Sequence, residues 1–309
     1  MQPRTRYWLT AGIVVVLTVT AVAGARVWAR LHSSDVARPA SFVGASACAS
    51  CHETEAKAWK LSQHAVSMQL AREGAVLGRF DSTQFTNDSI TTTFFHRGER
   101  YYVNTQGEDG ALHDYEIEWT FGVYPLQQYI VQFPGGRLQA LTVAWDSRPA
   151  QEGGQRWFYL TPGHGSSPAD PLHWTGREYN WNYSCADCHS TAVRKGYDER
   201  TNRFRTTFTE INVACEACHG PGSRHVKWAK YPSVVRELFW SDNGLANALV
   251  ERRGVSWVKN SPTGTAYRSA PRSTDREIET CAQCHSRRTH IADGYAAGSQ
   301  FFDHYIPAT

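Results

Sequence analysis

An α+β chain is predicted, with helices and loops gathered around four short cysteine motifs and an antiparallel β insertion between the first and the second. Three observations carry that expectation. All eight cysteines fall in four pairs of identical spacing, a stretch that alternates apolar and polar residues fills the gap between the first two pairs, and an uncharged N-terminal run stands apart from the rest.

At 309 residues and 41% hydrophobic content, the chain has the composition of a globular protein with one large or two ordinary domains. Its net charge of +3 and scattered Lys and Arg residues do not form the basic stripe of a nucleic-acid binder. The organisation read from the sequence is residues 1–30 as a signal peptide or N-terminal membrane anchor, 31–44 as a linker, and 45–309 as one cysteine-rich domain with its β insertion at about 86–160.

Taken in order, the N-terminus comes first. Arg4 and Arg6 precede residues 7–25, 19 positions without a charge. The run exceeds the apolar region of an ordinary signal peptide and approaches the roughly 20 residues that cross a bilayer, which favours an uncleaved anchor. Cleavage after Ala21-Val22-Ala23 or Ala23-Gly24-Ala25 remains the alternative. Either way the leading arginines place the N-terminus in the cytoplasm and the remainder outside the inner membrane, in a periplasmic or other extracytoplasmic space.

The cysteines read Cys48-Ala49-Ser50-Cys51-His52, Cys185-Ala186-Asp187-Cys188-His189, Cys215-Glu216-Ala217-Cys218-His219 and Cys281-Ala282-Gln283-Cys284-His285. Each is a CxxCH haem-attachment motif, in which two thiols add across the haem vinyl groups and the next residue turns its imidazole onto the iron. Two zinc ribbons are the serious competitor, because four thiolates satisfy tetrahedral zinc. Zinc does not need the trailing histidine that all four pairs carry, and an exported chain with no cysteine left over fits four c-type haems better.

A six-coordinate iron needs a second ligand, and this chain has 13 His but only two Met. Bis-His ligation is therefore expected, with His52, His189, His219 and His285 as proximal ligands. His225 follows His219 across Gly220-Pro221-Gly222, a turn too tight for it to cap its own haem, so it is expected to cap a neighbour. His64 and the loop residue His173 are the other distal candidates; Met68 is read as core packing. His290 and His304 are evenly balanced between ligand and surface, His96 and His113 are placed at exposed strand ends, and His32 and His164 in linker or loop.

A helix is expected from Glu53 to about Leu77, carrying His64. Strands follow at 90–95, 100–105, 113–121, 129–133 and 138–145, separated by Arg97-Gly98, Glu108-Asp109-Gly110 and Pro134-Gly135-Gly136 turns. Motifs two and three start only 30 residues apart and should be close neighbours. Residues 233–250 read as a helix and 255–273 as a loop.

Val43-Gly44 with the first motif, then Trp59, Ser62, His64 and Met68, resembles the N-terminal haem module of cytochrome c-554/c-552-type multihaem proteins, and residues 215–225 fit the same pattern. The segment from Thr120-Phe121-Gly122 to Gln128-Tyr129 and the run Trp181-Asn182-Tyr183-Ser184-Cys185 are similar to the subgroup in which this module precedes tetratricopeptide repeats. The resemblance implies electron transfer through packed bis-His haems, with His64 and His225 at distal-ligand positions. Members continue into further motifs, whereas this chain stops at Thr309, so the expectation is a piece truncated at its C-terminus.

Function then divides two ways. The favoured reading is an electron carrier whose partners are redox proteins or quinol-linked membrane complexes. The alternative is a reductase of a small nitrogen or sulfur oxyanion at a five-coordinate haem. Scarce Met and about two propionates per haem predict low potentials.

Overall fold

The computed structural model describes residues 4–33, 39–260 and 262–308. Linker residues 34–38 lie outside them. The described chain divides into two compact units, one of Met1–Val43 with Pro221–Leu245, the other of Gly44–Gly220 with Ala246–Thr309.

In the first unit, α1 (Arg4–Ser33) carries the uncharged N-terminal run. Val14, Val15, Val16, Leu17, Val19, Val22 and Val27 are all exposed along it. Among the described residues no helix is long and apolar enough to cross a membrane; the side chains of residues 7–13, the first part of the expected anchor, lie outside the described ones.

The other helices of this unit are α7 (Ser223–Ala229) and α8 (Ser233–Phe239). The segment before α7 is tied to the N-terminal stretch, with Ser223 N donating to Ser41 O and Ser41 N to Ser223 Oγ. The expected helix to residue 250 stops at Phe239 because the chain must turn back on α7. Gly244 has φ 77°, and a Cβ there would lie 2.8 Å from the backbone of Arg224 and His225.

The second unit opens with α2 (Ala45–Ala49) and α3 (Glu53–Lys60). The helix expected to reach Leu77 ends 17 residues early, and Met68 begins a strand instead. The reason is tertiary: Asn212 Nδ2 donates to Ala65 O at 2.7 Å and Val213 N to His64 O at 3.2 Å, pulling residues 61–67 into a turn.

Nine strands then form one antiparallel sheet. They are β1 (Met68–Leu70), β2 (Asp81–Asn87), β3 (Ile90–Arg97), β4 (Arg100–Gln106), β5 (Leu112–Phe121), β6 (Leu126–Gln132), β7 (Leu138–Ala140), β8 (Val143–Asp146) and β9 (Arg156–Tyr159). The order is β2-β3-β4-β5-β6-β8-β9, with β1 paired to β5 and β7 to β6. The five expected strands are all present, the last split in two.

Alternation along β3, β4 and β5 sends Phe94, Val103 and Ile117 inward. There they meet Phe80, Tyr129, Trp145, Trp157 and Trp174, with the Phe94 ring stacked on Trp157. A second apolar cluster of Met68, Ile130, Leu138, Ala140, Trp181 and Ala186 lies on the other side of β6 and β7. Met68 is core packing, as its sequence context indicates.

Beyond the sheet the helices are short: α4 (Trp181–Ser184), α5 (Ala186–His189), α6 (Cys215–His219) and α9 (Arg276–His285). Three two-stranded hairpins join them, β10 (Tyr197–Asp198) with β11 (Arg203–Phe204), β12 (Trp257–Lys259) with β13 (Ala266–Arg268), and β14 (Arg288–His290) with β15 (Tyr305–Pro307). The hairpin β12–β13 occupies part of the span expected to be loop.

Candidate haem-attachment site

Each motif sits on or at the end of a short helix, and all eight cysteines are free thiols. Among the described residues no group of three or more His, Cys, Asp or Glu is placed to hold a metal ion.

The sulfurs of the four motifs neighbour one another, in an order that differs from the sequence. The Cys48 thiol of motif one, which donates to Gly44 O at 3.7 Å, lies close enough to the Cys215 thiol of motif three for the two to interact electrostatically. Cys218 of motif three lies close enough to Cys281 of motif four to feel its charge. Motifs two and four exchange hydrogen bonds, Cys188 Sγ donating to Gln283 O at 3.7 Å and Cys284 Sγ to Asp187 O at 4.0 Å. The series is one, three, four, two. Motifs two and three, expected to be the close pair, are joined through their flanks: Thr191 Oγ1 donates to Asn212 O at 2.7 Å and accepts from Ala214 N at 2.9 Å.

Specific side chains enforce each junction. Between motifs one and three, the otherwise unpaired amides at the start of α2 are taken by carboxylates, Gly44 N donating to Glu216 Oε2 at 2.8 Å and Ala45 N to both oxygens of Glu210 at 3.2 Å. Trp59 Nε1 on α3 donates to Val213 O at 2.9 Å. Between three and four, Asn247 accepts on its carbonyl from His219 Nδ1 at 2.8 Å, while its side chain donates to Thr280 Oγ1 on α9 at 2.9 Å.

Motif two is seated on the sheet. Ala186, between its cysteines, lies in the second apolar cluster, and the His189 ring meets Phe121 of β5 edge-on at 4.5 Å. His189 Nδ1 faces Ser67 O at 3.3 Å. Together with the His219 bond, this puts the Nδ1 hydrogen on a carbonyl and leaves Nε2 as the ligating nitrogen, the arrangement iron-binding histidines use. Burial holds the His189 pKa below its ordinary value, which keeps the ring in its neutral, ligating form.

Burial pushes the Cys48 and Cys218 thiols up to about 11 and Cys185 to about 12. Cys188 moves the other way, because its interaction with the neighbouring Cys284 thiol and with the Arg288 guanidinium favours the thiolate.

The ring of His64 stands opposite that of His285, with centroids 6.2 Å apart and planes at 73°. Two metal–nitrogen bonds of about 2 Å in line, plus about 1.2 Å from each nitrogen to its ring centre, require a spacing of roughly 6 Å. The structure thus brings the distal candidate His64 beside the proximal candidate His285, and the free cysteine pairs are chemically suited to covalent haem attachment.

His225 lies in the other unit, on α7, its Nδ1 2.8 Å from Asn243 O and its ring stacked on Trp228. His173 lies in the β region. It is buried in the wall of a cavity in the β region with Thr92, Thr105, Gln106 and Trp174, no motif residue lines that cavity, and its Nδ1 pairs with Thr175 Oγ1 at 2.7 Å. His290 is engaged by Lys195 at 3.4 Å and Asp293 at 3.5 Å, while His96 and His113 are exposed, as expected. Ser67, Glu210 and Asn247 carried no signal in the sequence.

Residues 47–89 and 168–220 match the model of the cytochrome c554 and c-prime family, a family of multihaem c-type cytochromes. Those two stretches contain motifs one, two and three. The class they define implies electron transfer through c-type haems and an extracytoplasmic setting. The chain is also similar to a solved structure described as the outer cell wall cytochrome OcwA, at 18% identity and a TM-score of 0.48 over 86% of this chain and 45% of that one. It thus spans about half the length of that protein. No curated protein matches the chain.

Proposed function

We propose that this chain is a tetrahaem electron carrier of the extracytoplasmic space, working between redox partner proteins or quinol-linked membrane complexes. The observation that supports it most is the unbroken series of sulfur neighbours from motif one through three and four to two. When bound at these thiols, c-type haem supplies a centre that takes up and releases one electron.

The chain's own residues hold such centres in neighbouring positions and fix their axial nitrogens. Cys48, Cys51, Cys185, Cys188, Cys215, Cys218, Cys281 and Cys284 would attach the haems, and His52, His189, His219 and His285 would ligate from one side, with His64 and His225 as the further candidate ligands. The exposed valines and leucine of α1 support residues 7–25 as the anchor to the inner membrane, since apolar side chains around a helix need a non-aqueous cover.

Export of the chain in a host with c-type maturation machinery tests the reading. Intact mass should exceed that of the processed polypeptide by four haems, and the oxidised spectrum should be low-spin. A gain of three haems or fewer overturns the count. A high-spin band that binds added ligand overturns the carrier in favour of a haem that meets substrate.

A further inference from the structure

The two ends of the sulfur series carry opposite charge. At the junction of motifs one and three stand carboxylates. Glu210 reaches Ala45 N with both oxygens, and its charge acts on Cys48 and on Cys215. No Lys or Arg lies within salt-bridge distance of Glu210 among the described residues. Glu216, buried between Cys215 and Cys218, adds its charge to the same sulfurs.

At the junction of motifs two and four stand cations. Arg288 Nη2 lies 3.5 Å from Cys188 Sγ, its Nε donates to Gln283 O between the cysteines of motif four, and its guanidinium lies 3.9 Å above the ring of buried Tyr305. The antiparallel pairing of β14 with β15 holds that stack in place. Lys195, its side chain 11% exposed, is 3.4 Å from Asp187 Oδ2 and so neutralises the acid inside motif two. Arg288 itself has no carboxylate within salt-bridge distance among the described residues.

We propose that this charge arrangement gives the relay a direction, with Glu210 making motifs one and three the electron-donating end and Arg288 making motifs two and four the end where electrons settle. The inference rests on the tetrahaem reading. Adding an electron to a centre beside a half-buried cation is favoured and beside a half-buried carboxylate disfavoured, because neither charge is screened as it would be in water. Arg288 and Glu210 act through the attached centres without touching a partner, so both are positioning residues.

Potentiometric titration of the intact four-haem protein tests it, followed at the haem absorption band and by electron paramagnetic resonance. Two centres should titrate above the other two. Arg288→Gln should shift midpoints in the upper pair to lower potential, and Glu210→Gln should shift midpoints in the lower pair upward, so that the double variant narrows the spread. Arg288→Lys, which keeps the charge and loses the stacked fork, should stay near the parent. Should Arg288→Gln fail to mature, Glu210→Gln and Arg288→Lys carry the same test. Unmoved midpoints in a four-haem variant, a shift of opposite sign, or an Arg288→Lys shift as large as that of the Gln variant overturns the proposal. A parent protein lacking one or more haems by mass would instead overturn the reading on which it rests.

Discussion

The β region and the attachment segments are stabilised in different ways. The sheet closes its own core of Phe80, Phe94, Val103, Ile117, Tyr129, Trp145 and Trp157, rings packed on rings, and needs nothing bound to be complete. The attachment helices are four to ten residues long, below the length at which an isolated helix is stable, and they are held by hydrogen bonds and contacts to distant segments. One region is a scaffold, and the other is arranged around groups it must acquire. Substitutions in the two should therefore have separable effects.

The largest effect on stability belongs to the sheet. Phe94→Ala removes a fully buried ring stacked on Trp157 and should cost about 3–5 kcal/mol in denaturant unfolding while leaving the haem count by mass unchanged. A loss of haem in step with stability would show that the two regions are not separable.

His64→Ala acts on the other side of the comparison. Attachment depends on the thiols, so all four haems should remain, but one low-spin iron in four should become high-spin. An unchanged low-spin spectrum would mean that the 6.2 Å pairing with His285 does not bracket an iron.

Acid should find the β region through His173. Burial holds its pKa below the ordinary 6.5, so the unfolded chain takes up the proton first as pH falls. Its share of stability is complete above about 6.5 and is lost as pH drops through the lower folded value. His173→Gln should flatten that acid limb of a stability–pH curve; an unaltered limb would assign it to other groups.

The smallest effect is on the surface. Glu53 and Lys57 pair at 2.8 Å on α3 with both side chains more than 70% exposed, and Glu53→Gln should change stability by about 0.5 kcal/mol or less.

Much of the scaffold was legible in the sequence because alternation and turn residues are local signals. Five strands between residues 90 and 146 fall where the period-two pattern places them. β2 was missed because Asp81–Asn87 is a polar, largely exposed edge strand with no apolar alternation. The even spacing of the cysteine pairs and their trailing histidines is likewise a local signal. What escaped was everything decided by contacts between distant residues. The turn at 61–67 is set by Asn212 and Val213, the place of His173 by Thr92 and Thr105 across the cavity, and the order one, three, four, two by Glu210, Glu216 and Asn247. None of these leaves a periodic trace.

The pairing of His64 with His285 also bears on how the molecule is made. The two residues are 221 positions apart, so His64 leaves the cytoplasm long before the motif whose iron it is proposed to cap. Even its turn is not fixed until residues 212–213 have followed. On the proposed ligation, the imidazole of His64 stays without its partner until residue 285 has followed. Contacts of such long sequence separation form slowly. A biosynthetic intermediate, halted before residue 285 emerges, would carry its early haems with His64 still uncommitted.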